Sequence, residues 1–353
     1  MMIRKKIVSL ICVLALILSV TGCARTPEVP ASSSGVPASS SEVPASSEVP
    51  ASDKAEPRIV LLMQGALNDA GWNATAYAGL LEVQKKYGFD VKYREGIDQS
   101  EIEEVIYSYI NEGYNFIIGH GSQFYDTITK VALAYPDLTF VNTSVTVGQE
   151  PNVTAVNIDN FAQGFLAGCI AGLVTEKNAV AVIGGQESPP IIASVNGFLA
   201  GAKYANPDVK TFSTYTGSYV DSAKMKETAK AFINNGVDVL FANAGQSGLG
   251  CIEACDENGA IAIGSNTDQN EFAPDTVINS VIKDGKVMMT DVVEKYLQGT
   301  LKPEFMNLSV AEGAVYLSPW HGFEEKVPKE IIEKLENIQK QMANGTIKME
   351  DYQ

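Results

Sequence analysis

The chain is 353 residues long and 45% hydrophobic, so it has apolar residues enough for more than one core. Its formal net charge is −16, which argues against nucleic acid and anionic lipid headgroups as partners, since both carry the same sign. With only two histidines, His120 and His321, no cluster has metal-site spacing, and neither a metal nor a cofactor is expected.

Arg4, Lys5 and Lys6 precede an uncharged run over residues 7–20. That is the build of a signal peptide (residues 1–22), too short and wrongly flanked for a stable membrane span. The run ends in Val20-Thr21-Gly22-Cys23, which resembles the lipobox of bacterial lipoproteins. The resemblance implies that Cys23 is acylated and becomes the first residue of an exported protein, lipid-anchored on the outer face of the cell membrane. Ordinary signal cleavage near Ala24 is the alternative. Loss of the three basic residues leaves a mature charge of about −19. Residues 24–56 then repeat a Val-Pro-Ala-Ser-Ser unit, with prolines at 30, 37, 44 and 50. Such a composition cannot bury enough apolar area to offset ordering, so residues 23–57 read as a disordered tether. With flexible-chain statistics its ends lie roughly 30 Å apart.

From Arg58 onward roughly 295 residues remain, long for a single core and suggestive of two lobes. Short β-branched runs alternate with amphipathic helical stretches, the pattern of a parallel α/β fold. In chain order the predicted strands are 59–63, 90–94, 116–118, 139–142 and 153–157, then 180–183, 211–215, 237–242, 261–264 and 277–280. A helix is expected over 74–87. Ile102, Val105, Ile106, Tyr109 and Ile110 form the stripe of another, half-buried helix. Ser100 with Glu103 reads as its capping box and Gly113 as its stop. Cys169 falls in an apolar helical pattern and is expected in the core. Cys251 and Cys255, one helical turn apart, are badly placed for a disulfide. Residues 316–323, with Trp320 and His321, read as a packed C-terminal connection, with a lid or lobe-edge contact as the alternative, and 329–342 as a docking helix.

Glycines follow many of these strands, among them Gly65, Gly119, Gly184 and Gly245. In open parallel sheets ligands bind at the carboxyl ends of strands, so two successive sets of five strands predict two sheets facing one cleft. The first loop, Gln64-Gly65-Ala66-Leu67-Asn68-Asp69-Ala70-Gly71-Trp72-Asn73, is the richest in polar and aromatic groups. Its indole would stack on a planar heterocycle while Asp69 or Asn73 reads an edge. The alternative is that Asp69 caps the following helix and Trp72 packs inward. No Gly-Lys-Ser/Thr follows, so this is not a phosphate loop.

Several segments together carry a resemblance. Asn68-Asp69-Ala70-Gly71-Trp72-Asn73 is similar to an Asp-x-x-Phe-Asn element, with Trp72 for the phenylalanine. Ala134-Tyr135-Pro136-Asp137 with Phe140, Gly164-Phe165-Leu166-Ala167-Gly168, and Asn196-Gly197-Phe198-Leu199-Ala200-Gly201 with Asn206-Pro207 follow in order. Residues 215–221, Gly236-Val237-Asp238-Val239 and Ala244-Gly245-Gln246-Ser247-Gly248 continue the register. Over residues 58 to about 283 the chain resembles the basic membrane protein family of ABC-transporter substrate-binding lipoproteins, which includes purine nucleoside receptors.

The resemblance implies an α/β chain with the type I periplasmic-binding-protein fold, two Rossmann-like lobes joined by three crossovers around a ligand cleft. Lobe 1 would comprise 58–158 plus about 266–305, and lobe 2 would comprise 159–265 plus about 306–353. By position, Asn68, Asp69, Trp72 and Asn73 would meet the base, with Gln123 or Phe124 on the same lobe. Gly245 would line the cleft from lobe 2, and Asp268 and Lys283 would lie near the ribose or the hinge. Asn266 stands where the family often has an acid. Ser188-Pro189-Pro190-Ile191-Ile192 lacks an aromatic to oppose Trp72, for which Phe161, Phe124 and Phe198 are the candidates.

The expected function is capture of a nucleoside, a purine one first, by a monomeric binding protein that closes about its hinge and docks on an ABC permease. A free nucleobase, riboflavin or another heterocycle is the alternative ligand, and a sensor signalling to a membrane partner the alternative role. An enzyme is not expected: no Gly-x-Ser-x-Gly elbow is present, and His120 is the only candidate base.

Overall fold

The computed structural model describes residues 55–353. The signal peptide, Cys23 and all but the last three residues of the tether lie outside the described residues. The first strand, β1 (Ile59–Met63), has every side chain buried, as befits a parallel strand covered on both faces. It is followed by α1 (Trp72–Tyr87), β2 (Val91–Arg94), α2 (Ile102–Asn111), β3 (Phe116–His120), α3 (Tyr125–Ala134), β4 (Thr139–Thr143) and β5 (Val153–Ile158). The chain then crosses into α4 (Asn160–Val174), β6 (Ala179–Gly184), α5 (Pro189–Ala205), β7 (Lys210–Tyr215) and α6 (Ser222–Asn234). After these come β8 (Val239–Asn243), α7 (Leu249–Asn258), β9 (Ile261–Asn266) and β10 (Val277–Lys283). Last are α8 (Gly285–Leu297), β11 (Phe305–Leu308), β12 (Val315–Leu317) and α9 (Lys329–Ala343).

The strands form two six-stranded sheets, in the orders β11-β5-β4-β3-β1-β2 and β12-β10-β9-β8-β6-β7. The first is parallel throughout. In the second, only β12 runs antiparallel, against β10. All ten predicted strands are present, each within three residues of its expected ends. The short edge strands β11 and β12 escaped the sequence, having three or four residues and no periodic pattern.

Two expectations are corrected. Residues 266–283 belong with the second sheet, because β10 pairs parallel with β9 before the chain crosses at Lys283. Residues 306–308 belong with the first sheet through β11, which pairs with β5. The capping box on α2 does not form either. Its N-cap is Glu101, without a side-chain bond, and Glu103 instead holds Lys130 of α3 at 2.8 Å. Gly113, at φ +88°, ends the turn as expected.

One helix pair is unusually close. A Cβ on Gly164 or Gly168 of α4 would stand 1.9 or 2.1 Å from the carbonyl oxygen of Ser194 or Phe198 on α5. A Cβ on Gly197 or Gly201 of α5 would meet Phe161 or Phe165 of α4 at 2.2 or 2.0 Å. The two backbones therefore touch, and only glycine fits there. Cys169 is fully buried on the same helix. Cys251 and Cys255 are buried free thiols.

The chain passes between the sheets three times, after β5, after β10 and after β11. Side chains stitch these crossovers together. Asp159 caps α4 by accepting from Ala162 N at 3.0 Å and also accepts from the Ser309 hydroxyl at 2.9 Å. Tyr316 donates to Asp284 at 2.8 Å, and Lys283 donates to Asn160 Oδ1 at 2.7 Å. No helix among the described residues is long and apolar enough to cross a membrane.

Candidate functional site

The carboxyl ends of β1 and β3 in the first sheet, and of β6, β8, β9 and β10 in the second, border a common cavity of about 580 Å³. Of the residues expected there, Asp69, Trp72, Asn73, Gln123, Gly245, Asn266 and Lys283 line it. Asn68, Phe124 and Asp268 do not. Asn68 is exposed in its loop. Phe124 is in the first-lobe core, because the chain turns at Gly121 (φ +123°) and carries the ring back against β3. Asp268 accepts from His321 Nε2 at 2.6 Å and from Asn270 N at 3.2 Å, which ties the loop after β9 to the C-terminal connection. Trp320 of that connection is buried in the core.

The first loop is organised by Asp69. Its carboxylate accepts from Gly71 N, Asn73 N and the Asn73 amide at 2.9 Å each, and from Ala74 N at 3.1 Å. Both oxygens are thus engaged in starting α1, where they meet the unpaired N–H groups and the positive end of the helix dipole. Asp69 builds the cavity wall and is not a free acceptor within it.

Trp72 stands at the first turn of α1 with His120 stacked on it, the ring centroids 4.4 Å apart and the planes 25° from parallel. The imidazole is locked. Its Nε2–H donates to the Trp72 carbonyl at 3.1 Å, and Nδ1 accepts from the Thr143 hydroxyl at 3.0 Å. Complete burial pulls its pKa down to about 3, so it is neutral and supports the indole instead of acting as a base. Lys283 Nζ lies over the same indole, 4.2 Å from the ring centroid. Burial lowers this amine to about pKa 7, opposed only by the longer-range pull of Asp159. The Lys283 amine and the His120 imidazole both rest against the indole and brace it as a wall of the cavity.

The aromatic expected opposite Trp72 is none of the three candidates. Phe124 and Phe198 are core residues, and Phe161 borders a neighbouring cavity. Tyr219, in the loop after β7, lines the site from the second lobe with its hydroxyl 3.1 Å from Ser188 Oγ. Asn160, on the first crossover, was also missed. Their signal in the sequence was position alone, each just beyond a predicted strand end.

Behind the second-lobe wall, Gln163 of α4 is fully buried among amides. It donates to Val281 O at 3.2 Å and to Asn266 Oδ1 at 3.0 Å, and accepts from Asn243 Nδ2 at 3.1 Å. Across the cleft, Thr267 Oγ1 and Gln269 Nε2 both donate to the Ala70 carbonyl of the first lobe, at 2.9 and 3.0 Å. The lobes therefore touch directly beside the cavity. The site can hold and orient a small polar planar molecule, and it brings no nucleophile and base together.

Residues 56–353 match the family described as ABC transporter substrate-binding protein PnrA-like, or Bmp. The transcriptional activator protein med of Bacillus subtilis is 31% identical over 72% of this chain and 79% of its own. A purine-binding protein of Brucella abortus is 26% identical over 81% of this chain and 83% of its own. Among solved structures, an ABC transporter solute-binding protein from Conexibacter woesei is 26% identical and superposes with a TM-score of 0.70, covering 83% of this chain and 98% of that one. Proteins of the substrate-binding class take a small molecule outside the cytoplasm and deliver it to a permease, a task for a hinged cleft and not for catalysis. Two facing α/β lobes, three crossovers and a cavity at the sheet ends agree with the match in sequence: the chain has the type I periplasmic solute-binding fold and belongs to the PnrA-like family of ABC transporter substrate-binding proteins.

Proposed function

We propose that this protein captures a purine, as nucleoside or free base, on the outer side of the membrane, held there by a lipid on Cys23. The observation that carries this reading is the pair of aromatic side chains, Trp72 and Tyr219, that reach one cavity from opposite lobes. A heterocycle between them has apolar faces for the rings and polar edges for Asn73, Gln123, Asn266 and Lys283, the mixture typical of small-molecule sites. The purine-binding relative in Brucella abortus supports the same class. Contacts to both lobes favour the closed state, and the closed state is what a permease would recognise.

Thermal unfolding with nucleosides, nucleobases, riboflavin and simple sugars tests this. A ligand at about 100 times its dissociation constant adds roughly 2.7 kcal/mol and raises the melting temperature. A shift with purines that disappears in Trp72→Ala and Tyr219→Ala supports the reading. A shift with riboflavin or a sugar and none with purines overturns it. The anchor is tested separately: Cys23→Ala moves the protein from the membrane to the soluble fraction. A sensing role is the second reading, favoured by the regulatory relative in Bacillus subtilis. Unimpaired purine uptake in a strain lacking this protein would favour it over transport.

A further inference from the structure

A second cavity, of about 590 Å³, adjoins the first, and Ser122, Ser144, Asn160 and Pro190 line both. Its volume is by itself in the range of small-molecule sites, roughly 300–1,000 Å³. It too lies between the lobes. Tyr125 of α3, Val147 after β4 and Phe305 of β11 reach it from the first lobe, and Phe161 of α4 with Pro189 and Ala193 of α5 from the second. Val147 and Phe305 are large apolar side chains left exposed, as is common where a surface takes a ligand. One polar group in this cavity is unsatisfied. Asn157, at the end of β5, is 8% exposed, and its Oδ1 is closed off from solvent with no hydrogen-bond partner. Turning the amide only exchanges the end that goes unpaired. Asn307, its neighbour in the register of β5 with β11, lines the same cavity, so two amides stand side by side on one face.

A buried amide without a partner costs free energy, and a ligand that pairs with it recovers that cost. The charge of such a ligand is restricted. Asp159 is the only charged side chain that lines the cavity, and its oxygens accept from Ala162 N and the Ser309 hydroxyl. No lining side chain is basic, and α5 opens on two prolines, which have no N–H to hold an anion. A cation is disfavoured by Lys283, which stands behind Asn160. We propose that the second cavity is a ligand site of its own, for an uncharged molecule with an apolar body and an amide-like group that both donates and accepts. Phe161, Phe305 and Tyr125 cover the body, and Asn157 with Asn307 pairs with the amide. Because the walls come from both lobes, occupancy favours the closed state and couples positively to capture in the first cavity, whatever that cavity holds.

Calorimetry on the full chain with 4-bromobenzamide, and crystals grown with it, provide the test. Saturable binding is expected, with the anomalous signal of the bromine in the second cavity. 4-Bromobenzoate has the same shape with a charge in place of the amide, and should bind at least about ten-fold more weakly, since no lining group offsets the charge. Asn157→Leu should weaken the amide about ten-fold without lowering the melting temperature of the unliganded protein, because it removes an unpaired polar group. Ala193→Phe fills the space from α5 and should abolish binding. Thr267→Val lies outside both cavities and removes one contact between the lobes. It should weaken the probe roughly two- to ten-fold if the site belongs to the closed state. No binding, a bromine signal only between Trp72 and Tyr219, or equal affinity for amide and carboxylate would overturn the proposal. An unchanged affinity in Thr267→Val would overturn its coupling to closure. The amide and carboxylate compared in the unaltered protein decide the matter even where a variant fails to fold.

Discussion

Lys283 is buried at the end of β10 with its amine lowered by desolvation to about pKa 7, against an ordinary 10.5. Between those values the unfolded chain still binds the proton that the folded chain has released. Stability therefore rises with pH from about 7 to 10.5, and this group adds no slope below 7. Lys283→Met should flatten that rise in melting temperature, measured on the unliganded protein. His120 acts in a lower window. Its folded pKa of about 3 lies below the ordinary 6.5, so stability falls as pH drops from about 6.5 toward 3. A His120→Gln variant should lose less on acidification, read from urea midpoints at pH 6.5 and 4. At this scale the sequence was partly legible. The loop holding Asp69, Trp72 and Asn73 stood out because polar and aromatic residues clustered at one strand end. That Asp69 serves the helix, and that Tyr219 supplies the second aromatic, depended on where the backbone turned.

Among the elements, the strands declared themselves through β-branched runs such as Ile59–Met63, whose burial on both faces leaves little alternative. The contact between α4 and α5 was visible only as glycines at four-residue spacing. Gly168→Ala would put a Cβ 2.1 Å from the Phe198 carbonyl oxygen, which no side-chain movement relieves. The helices must separate, and overpacking of this kind costs about 1–3 kcal/mol. Denaturant unfolding should show a lower midpoint with an unchanged slope. The expected cap on α2 failed for a physical reason. Ser100 and Glu103 have the right spacing, but Lys130 comes from another helix and takes the glutamate. A local signal lost to a tertiary partner.

For the whole molecule, the crossovers and the cleft contacts set how readily the lobes part. The Ala70 carbonyl accepts two bonds from the second lobe, and these exist only while the lobes are together. Thr267→Val removes one. A bond of this kind contributes about 0.5–1.5 kcal/mol, so ligand affinity should weaken roughly two- to ten-fold as the closed state loses population. Calorimetry measures that loss. Small-angle scattering should show a larger unliganded radius of gyration in the variant and a common one when ligand is saturating.

By itself the sequence determined the α/β class, the ten main strands and the loop at the end of β1, because periodicity and strand-end chemistry are local properties of the chain. The signal peptide, lipobox and tether were read in the same way, from segments outside the described residues. The tertiary structure alone decided that Phe124 turns inward, that Asp268 serves His321, that Tyr219 faces the cavity and that Gln163 orients Asn266. Phe124 turns on the local backbone at Gly121, but the other three depend on partners far apart in the chain, between 31 residues for Tyr219 with Ser188 and 103 for Gln163 with Asn266, brought together only when the sheets and crossovers form.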